Sequence, residues 1–339
     1  AAGFPAEAVT VVKPGAEEMA GCRCVAGLGD LPRVDLLVLS IGAAAAPAAL
    51  EEVVERGAAA SVILIPGGLG ERAGSEALAQ RARAAVAAGR DRGDGPVVNG
   101  GNSMGVASVP GRYDATFIPA AKASRSPDAA PVPLAVVSQS GAFAIARLDR
   151  ITRLRPRYLA TVGNQLDLTV GDFVSFWRDD PSVEVVACYV EGFRPGDGSL
   201  FLEAAAAIRR RGGIVVLYLG GRTPEGAAAV SSHTASVAPQ HRVAAALAAQ
   251  AGVLVAGTLE EFEDLVRLAV ALRGRRPRGT GLGAVSNAGF ECVALADQEG
   301  PFRLVLFEEE TTRRIGQVLA RLRLDGLVVV RNPLDLTPM

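Results

Sequence analysis

The sequence predicts an α/β protein built of parallel sheets with helices on both faces. Two observations carry this. Short apolar runs rich in Val, Ile and Leu recur along the chain, each with the length and composition of a strand buried on both sides. Between them lie Ala-, Glu- and Arg-rich stretches of helical length, and that alternation joins parallel strands by crossover helices. The expected strands are Val9–Val12, Asp35–Ser40, Ser61–Ile65, Leu134–Ser138, Val183–Val190, Ile214–Leu219, Gly252–Val255, Leu282–Ser286 and Gly326–Val330. The clearest expected helices are Ala46–Arg56, Ser75–Ala88, Leu200–Arg211 and Leu259–Leu272. In such sheets ligands bind at the carboxyl ends of strands, where loops meet helix N-termini.

Two breaks divide the chain. Ala120–Pro133 is rich in Ser, Ala and Pro, and Arg273–Gly281 is rich in Gly, Pro and Arg; both read as linkers. Three units are therefore expected, at about 1–125, 131–273 and 282–339. The first opens on the end of a helix and the last stops inside an element, so a fragment clipped at both ends is expected.

Composition narrows the function. Lys+Arg is 35 and Asp+Glu 36, a net charge of −1. That balance argues against a nucleic-acid binder held by bulk charge and against a polybasic membrane anchor. No apolar stretch has the length of a membrane span, and the N-terminal residues lack the charged and cleavable pattern of a signal peptide. Cys22, Cys24, Cys188 and Cys292 have neither disulfide-framework nor zinc spacing, so reduced thiols in a cytoplasmic protein are expected and no metal site is.

Several residues could carry chemistry. The run Leu134–Phe143 is an apolar strand, a tight turn through Ser138-Gln139-Ser140-Gly141, and a helix start at Ala142. The first N–H groups of a helix lack partners and carry partial positive charge, so a phosphate fits there, with the Ser138 and Ser140 hydroxyls as further donors. The plainer alternative is a serine N-cap without a ligand. A serine hydrolase built on Ser140 would need the flanking glycines of G-x-S-x-G, which are missing. His233 lies in the small polar stretch Val230–Ser236. With an ordinary histidine pKa of about 6.5, its neutral ring could act as a nucleophile, or it could be a loop histidine with no chemistry. His241 reads as a helix-start surface residue. Glu191 ends the strand Val183–Val190, where a carboxylate could orient a histidine or simply face solvent. In the first unit, loops carrying Ser40, Ile41 and Gly42, then Gly67 and Gly68, then Asn102 and Met104 follow strands. None forms G-x-G-x-x-G, and no P-loop occurs in the chain.

Taken in order, these motifs resemble those of the nucleoside-diphosphate-forming acyl-CoA synthetases, which include ADP-forming acetyl-CoA synthetase and, more distantly, succinyl-CoA synthetase. Val12-Lys-Pro-Gly with Glu17-Glu-Met-Ala-Gly21 resembles the family's V-N-P-K-G-E-E-I-x-G. Pro66–Glu71 resembles S-A-G-F-G-E, and Gly101–Gly105 resembles G-P-N-C/S-x-G. Val137–Ala142 matches V-S-Q-S-G-A, and Gly163-Asn-Gln-Leu-Asp167 resembles G-N-x-x-D. Tyr189–Gly192 matches Y-x-E-G, and Ser232-His-Thr234 matches S-H-T. Ser286–Gly289 and Asn332–Asp335 resemble T-N-A-G and N-P-x-D.

The resemblance implies a Rossmann-like CoA-binding domain followed by two flavodoxin-like doubly wound domains, the last truncated. It implies that His233 is phosphorylated during turnover, that Glu191 orients it, and that Ser138, Gln139, Ser140, Gly141 and Ala142 hold the phosphoryl group. Coenzyme A would lie near Ser40, Ile41, Gly42, Gly67, Gly68, Asn102 and Met104. The implied reaction converts acyl-CoA, phosphate and ADP to a small carboxylic acid, CoA and ATP. The nucleotide and its Mg would bind an ATP-grasp domain or β-type subunit outside this chain, in an oligomer. The chain departs from the family pattern at Gly101, Ala235, Pro239 and Phe290. A non-catalytic CoA- or acyl-CoA-sensing domain is the alternative, and retention of His233 with Glu191 counts against it.

Overall fold

The computed structural model describes residues 4–117, 129–150, 154–233, 241–275 and 278–337, leaving aside the side chains of 148–150 and 231–233. These residues form two compact units, Ala1–Arg273 and Gly274–Met339. Most of the expected linker at 120–133 lies outside the described residues.

The first unit begins with three short strands, β1 (Thr10–Val12), β2 (Glu18–Met19) and β3 (Cys22–Val25), in the order β1-β3-β2. A parallel sheet follows, made of β4 (Val34–Leu39), β5 (Ala59–Leu64) and β6 (Val97–Gly100). Helices α1 (Ala46–Arg56) and α2 (Glu76–Arg92) make its crossovers. Helix α1 turns Leu50, Val53 and Val54 inward, α2 turns in Ala79, Ala82 and Val86, and Val62 and Leu64 meet them from the sheet. Each helix ends on a left-handed glycine, Gly57 or Gly93, which frees the chain to turn back.

A seven-stranded sheet dominates the rest of this unit, in the order β13-β12-β11-β9-β10-β7-β8. Its strands are β7 (Val106–Ser108), β8 (Tyr113–Asp114), β9 (Pro131–Ser138), β10 (Arg155–Thr161), β11 (Val185–Val190), β12 (Ile214–Leu219) and β13 (Leu254–Ala256). The helices are α3 (Gly141–Arg150), α4 (Val170–Trp177), α5 (Asp197–Arg210), α6 (Pro224–His233), α7 (His241–Gln250) and α8 (Leu259–Ala271). Apolar residues on the two faces fall into separate cores. One contains Trp177, Phe201 and Ile208, the other Leu134, Phe262 and Val266. Thr169 and Thr258 cap α4 and α8, each accepting a backbone N–H through its hydroxyl.

The expected all-parallel arrangement needs two corrections. In the small first sheet β2 pairs antiparallel with β3. The seven-stranded sheet departs at one edge. Strands β7 and β8 pair antiparallel at the edge, β7 against β10 and β8 against β7. The chain leaving the first sheet thus joins the second directly.

The second unit holds β14 (Gly281–Leu282), β15 (Val285–Ser286), α9 (Gly289–Asp297), β16 (Arg303–Leu304), α10 (Glu309–Arg321) and β17 (Leu334–Asp335). The single strand expected over Leu282–Ser286 is split between two ladders, β14-β16 and β15-β17. The side chain of Asn332 occupies the break. It accepts from Ala284 N at 2.9 Å and donates to Leu282 O and Val305 O at 2.7 Å each. The strand expected over Gly326–Val330 is turn and irregular backbone, with Gly326 in the left-handed region at φ +78°.

Candidate functional site

Three loops of the first parallel sheet leave the carboxyl ends of β4, β5 and β6. They carry Ser40-Ile41-Gly42, Gly67-Gly68 and Asn102-Met104. The exposed Asn102 has φ +56° and donates its backbone N–H to Pro66 O at 2.8 Å, tying the third loop to the second. Glu71 closes the second loop on itself by accepting from the N–H groups of Gly68 and Leu69. It also accepts from Asn164 Nδ2 at 2.6 Å, and the same amide reaches Leu69 O at 3.1 Å. Burial pushes the Glu71 carboxyl up, but the donors from Gly68, its own N–H, Asn164 and Leu69 outweigh burial and hold it below the usual range.

The segment after β10 straps these loops to the larger sheet. Asn164, Leu166 and Leu168 donate backbone N–H to Gly101, Gly100 and Val98 at 2.8, 2.7 and 3.0 Å. The buried carboxylate of Asp167 accepts from Val98 N at 2.8 Å and pairs with Arg90. Burial is the largest influence on Asp167 and raises its pKa. Thr161, at the end of β10, serves the third loop. Its hydroxyl accepts from Met104 N at 2.8 Å and donates to Gly105 O at 3.0 Å, and its carbonyl accepts from Ser103 Oγ at 2.7 Å. Gly163 passes so close to the backbone of Gly101 and Asn102 that a β-carbon would overlap it.

The strap brings Met104 against the turn after β9. A β-carbon on Gly141 would sit 2.7 Å from Met104 Sδ, so any side chain at the first residue of α3 would have to displace Met104. The sequence placed Met104 and Gly141 in separate half-sites, and the fold puts them in contact.

Within the turn, the serine hydroxyls are already engaged. Ser138 is fully buried and donates to Ser140 O at 2.6 Å. It braces the turn, so the expectation that it offers a free donor is corrected. Ser140 Oγ accepts from Phe143 N at 3.2 Å as a helix cap, an arrangement that gives no nucleophile elbow. The N–H groups of half-buried Gly141 and exposed Ala142 are left as first-turn donors without intrahelical acceptors. Gln139 is 4% exposed, and its side chain turns away from the turn. Its Oε1 accepts from Glu191 N at 2.8 Å and Gly192 N at 3.0 Å.

Glu191 follows β11, and its half-buried carboxylate accepts from Tyr189 OH at 3.0 Å. Tyr189 is fixed by stacking on Phe143 (4.1 Å between centroids) and on Tyr218 (5.7 Å). Burial first, then the Glu191 charge, pushes the Tyr189 hydroxyl well up, so it stays a donor. In the sequence Gln165 is only one member of the Gly163–Asp167 motif, yet it is 1% exposed and holds the same loop from the other side. Its Nε2 donates to Gly192 O at 3.2 Å and its Oε1 accepts from Val170 N at 3.1 Å. A polar side chain in a glycine-bounded turn was its only sequence signal.

His233 is the last residue of α6, and its side chain lies outside the described residues, as do Ala235 and Pro239. His241 begins α7, half-buried, with Nε2 3.2 Å from Leu219 O. Cys188 is fully buried and burial pushes its thiol up, which makes it inert. Among the described residues no group of three or more His, Cys, Asp and Glu could hold a metal ion. No described helix is long and apolar enough to cross a membrane.

Known proteins carry the same succession of parts. Residues 6–107 match the family model of a CoA binding domain, and residues 131–269 match that of a succinyl-CoA ligase-like flavodoxin domain. The α subunit of acetate–CoA ligase [ADP-forming] I of Pyrococcus furiosus is 31% identical over 90% of this chain and 62% of its own length. The α subunit of form II from the same organism is 27% identical over 94% and 66%. The chain therefore spans somewhat under two thirds of these relatives. A solved acetyl-coenzyme A synthetase 1 of Candidatus Korarchaeum cryptofilum, bound to phosphate and ADP, superposes with a TM-score of 0.75. It is 26% identical over 97% of this chain and 67% of its own.

Fold and motifs thus define a chain in which a Rossmann-like CoA-binding domain runs into a succinyl-CoA ligase-like flavodoxin domain. In this it is similar to the NDP-forming acyl-CoA synthetases, and to the α subunits of ADP-forming acetate–CoA ligases among them.

Proposed function

We propose that this chain is the CoA-ligase portion of an NDP-forming acyl-CoA synthetase, an acid–thiol ligase. It interconverts acyl-CoA, phosphate and ADP with a carboxylic acid, CoA and ATP. Residues 1–125 hold coenzyme A through the loops of Ser40, Ile41, Gly42, Gly67, Gly68, Asn102 and Met104. Residues 131–273 carry the phosphoryl chemistry, and 282–339 belong to a further ligase-like domain.

One observation supports this above the others. The Met104 loop, at the end of the CoA-binding sheet, touches the α3 N-terminus at Gly141. A thioester carbonyl and a phosphate need to meet, and this contact is where the two half-sites share a border. A phosphate oxygen attacks the thioester carbonyl, the C–S bond breaks, and CoA leaves as a thiolate that takes up a proton. The N–H groups of Gly141 and Ala142 stabilise the phosphoryl oxygens without a mobile cation. Ser138 and Ser140 keep the turn in shape, and Gln139 ties it to the Glu191 loop.

A ring nitrogen of neutral His233 then attacks phosphorus in the acyl phosphate, and the P–O bond to the carboxylate breaks. Glu191 orients the ring and favours its cationic phosphorylated form. His233 finally gives the phosphoryl group to ADP on an ATP-grasp domain or β-type subunit, which also holds Mg. The assembly is a cytoplasmic oligomer, and nucleic acid and membrane play no part.

Phosphorylation by ATP tests the reading. The complete enzyme should acquire an acid-labile phosphate on His233 that His233→Asn abolishes and Glu191→Gln lowers about tenfold, the scale of one lost charge-assisted hydrogen bond. A complete enzyme that binds CoA but never carries this phosphate would be a sensor instead.

A further inference from the structure

Two buried glutamines hold the peptides on either side of Gly192, next to Glu191. Gln139 comes from the turn after β9, and Gln165 from the turn after β10. Gln139 Oε1 accepts from Gly192 N at 3.0 Å and from Glu191 N at 2.8 Å, and Gln165 Nε2 donates to Gly192 O at 3.2 Å. Gly192 is itself buried, and both of its backbone polar groups are held by side chains. The Gln165 amide is anchored in turn by Val170 N, the first residue of α4, at 3.1 Å.

This is a costly way to finish a strand. Buried amides are expensive unless every bond is made, and fully satisfied polar clusters specify one geometry. The clamp leaves the Glu191 backbone little freedom, and the Tyr189 hydroxyl then fixes its carboxylate.

We propose that Gln165 is a positioning residue which, with Gln139, fixes the backbone of Gly192 from both sides and thereby aims the Glu191 carboxylate. This rests on the role given to Glu191 above. Gln165 touches no reacting atom in this account. It acts through the backbone of Gly192 alone.

The test is a double-mutant cycle in the complete enzyme, with ATP-driven phosphorylation of His233 and steady-state turnover as readouts. Gln165→Met keeps the side chain's length and removes its hydrogen bonds. It should slow phosphorylation and kcat about tenfold, the scale of one lost buried hydrogen bond, with KM for CoA unchanged. In a Glu191→Gln background the same change should cost less than about twofold, because its target is already disabled. Thermal melting confirms that each variant is folded. Equal losses in both backgrounds, or a loss confined to KM for CoA, would overturn the proposal while leaving the parent reaction intact. A parent enzyme carrying no phosphate on His233 would overturn the functional reading, and this proposal with it.

Discussion

A methyl group at Gly141 would press on Met104. Overpacking of that kind costs about 1–3 kcal/mol. Gly141→Ala should therefore lower thermal stability by that amount and weaken phosphate and CoA together, read by melting and by binding of each ligand. Glu71 gives a pH-dependent prediction. Its native pKa lies below the ordinary 4.5. The unfolded chain thus binds the proton more readily, and the carboxylate's stabilising effect is complete above about pH 4.5 and lost as pH falls through the native value. Glu71→Gln should be less stable than the parent at pH 7, and the gap should narrow as melts are taken below pH 4.5. At this scale the sequence told position better than direction. Ser138 and Gln139 were legible as members of the turn, because a strand, two serines and a helix start leave a local pattern. The facing of their side chains was not legible. Ser138 turns inward onto Ser140 O of its own turn, and Gln139 reaches across to Glu191 and Gly192 on another segment.

Elements with a continuous apolar run were readable. Strand β12 and helix α1 have the expected bounds, since Ile214–Leu219 and Ala46–Arg56 each carry a complete local signal. Strands β7 and β8 were not readable. At three and two residues they hold no period, and they exist because β10 offers an edge. The break between β14 and β15 is set by Asn332, nearly fifty residues away. The junction between β10 and the Met104 loop makes a prediction at this scale. Thr161 is 1% exposed. Thr161→Val strips Met104 N of its acceptor and Gly105 O of one of its two donors, the Thr161 N–H remaining. It should cost about 1–3 kcal/mol in a denaturant melt and weaken CoA binding more than ATP-driven phosphorylation of His233. An equal effect on both would show that the loop is not tied to the CoA side alone.

Three of the four apolar clusters lie within residues 1–273, and the fourth, centred on Leu319, Val328 and Leu334, lies in the second unit. A chain ending at Arg275 should therefore melt within about 4 °C of the longer one, the shift expected for ~1 kcal/mol in a domain of this size. The second unit is apolar outside as well as in, with Phe290, Leu306 and Val329 largely exposed. The sequence predicts three units where the residues fall into two compact ones, Ala1–Arg273 and Gly274–Met339, and the Gly-, Pro- and Arg-rich stretch between these two was legible in composition. The strapping of the first parallel sheet to the seven-stranded sheet was not, because it is made by backbone bonds from 164–168 that leave no trace in composition. That strapping underlies the central claim, which is that thioester and phosphate react at one border. The most direct measurement supplies the complete enzyme with acyl-CoA and radiolabelled inorganic phosphate, without nucleotide, and maps the label. The account predicts label on His233 that requires acyl-CoA and disappears when free CoA and acid are added in excess. Label absent from His233 while CoA is still bound, or present without acyl-CoA, would contradict it.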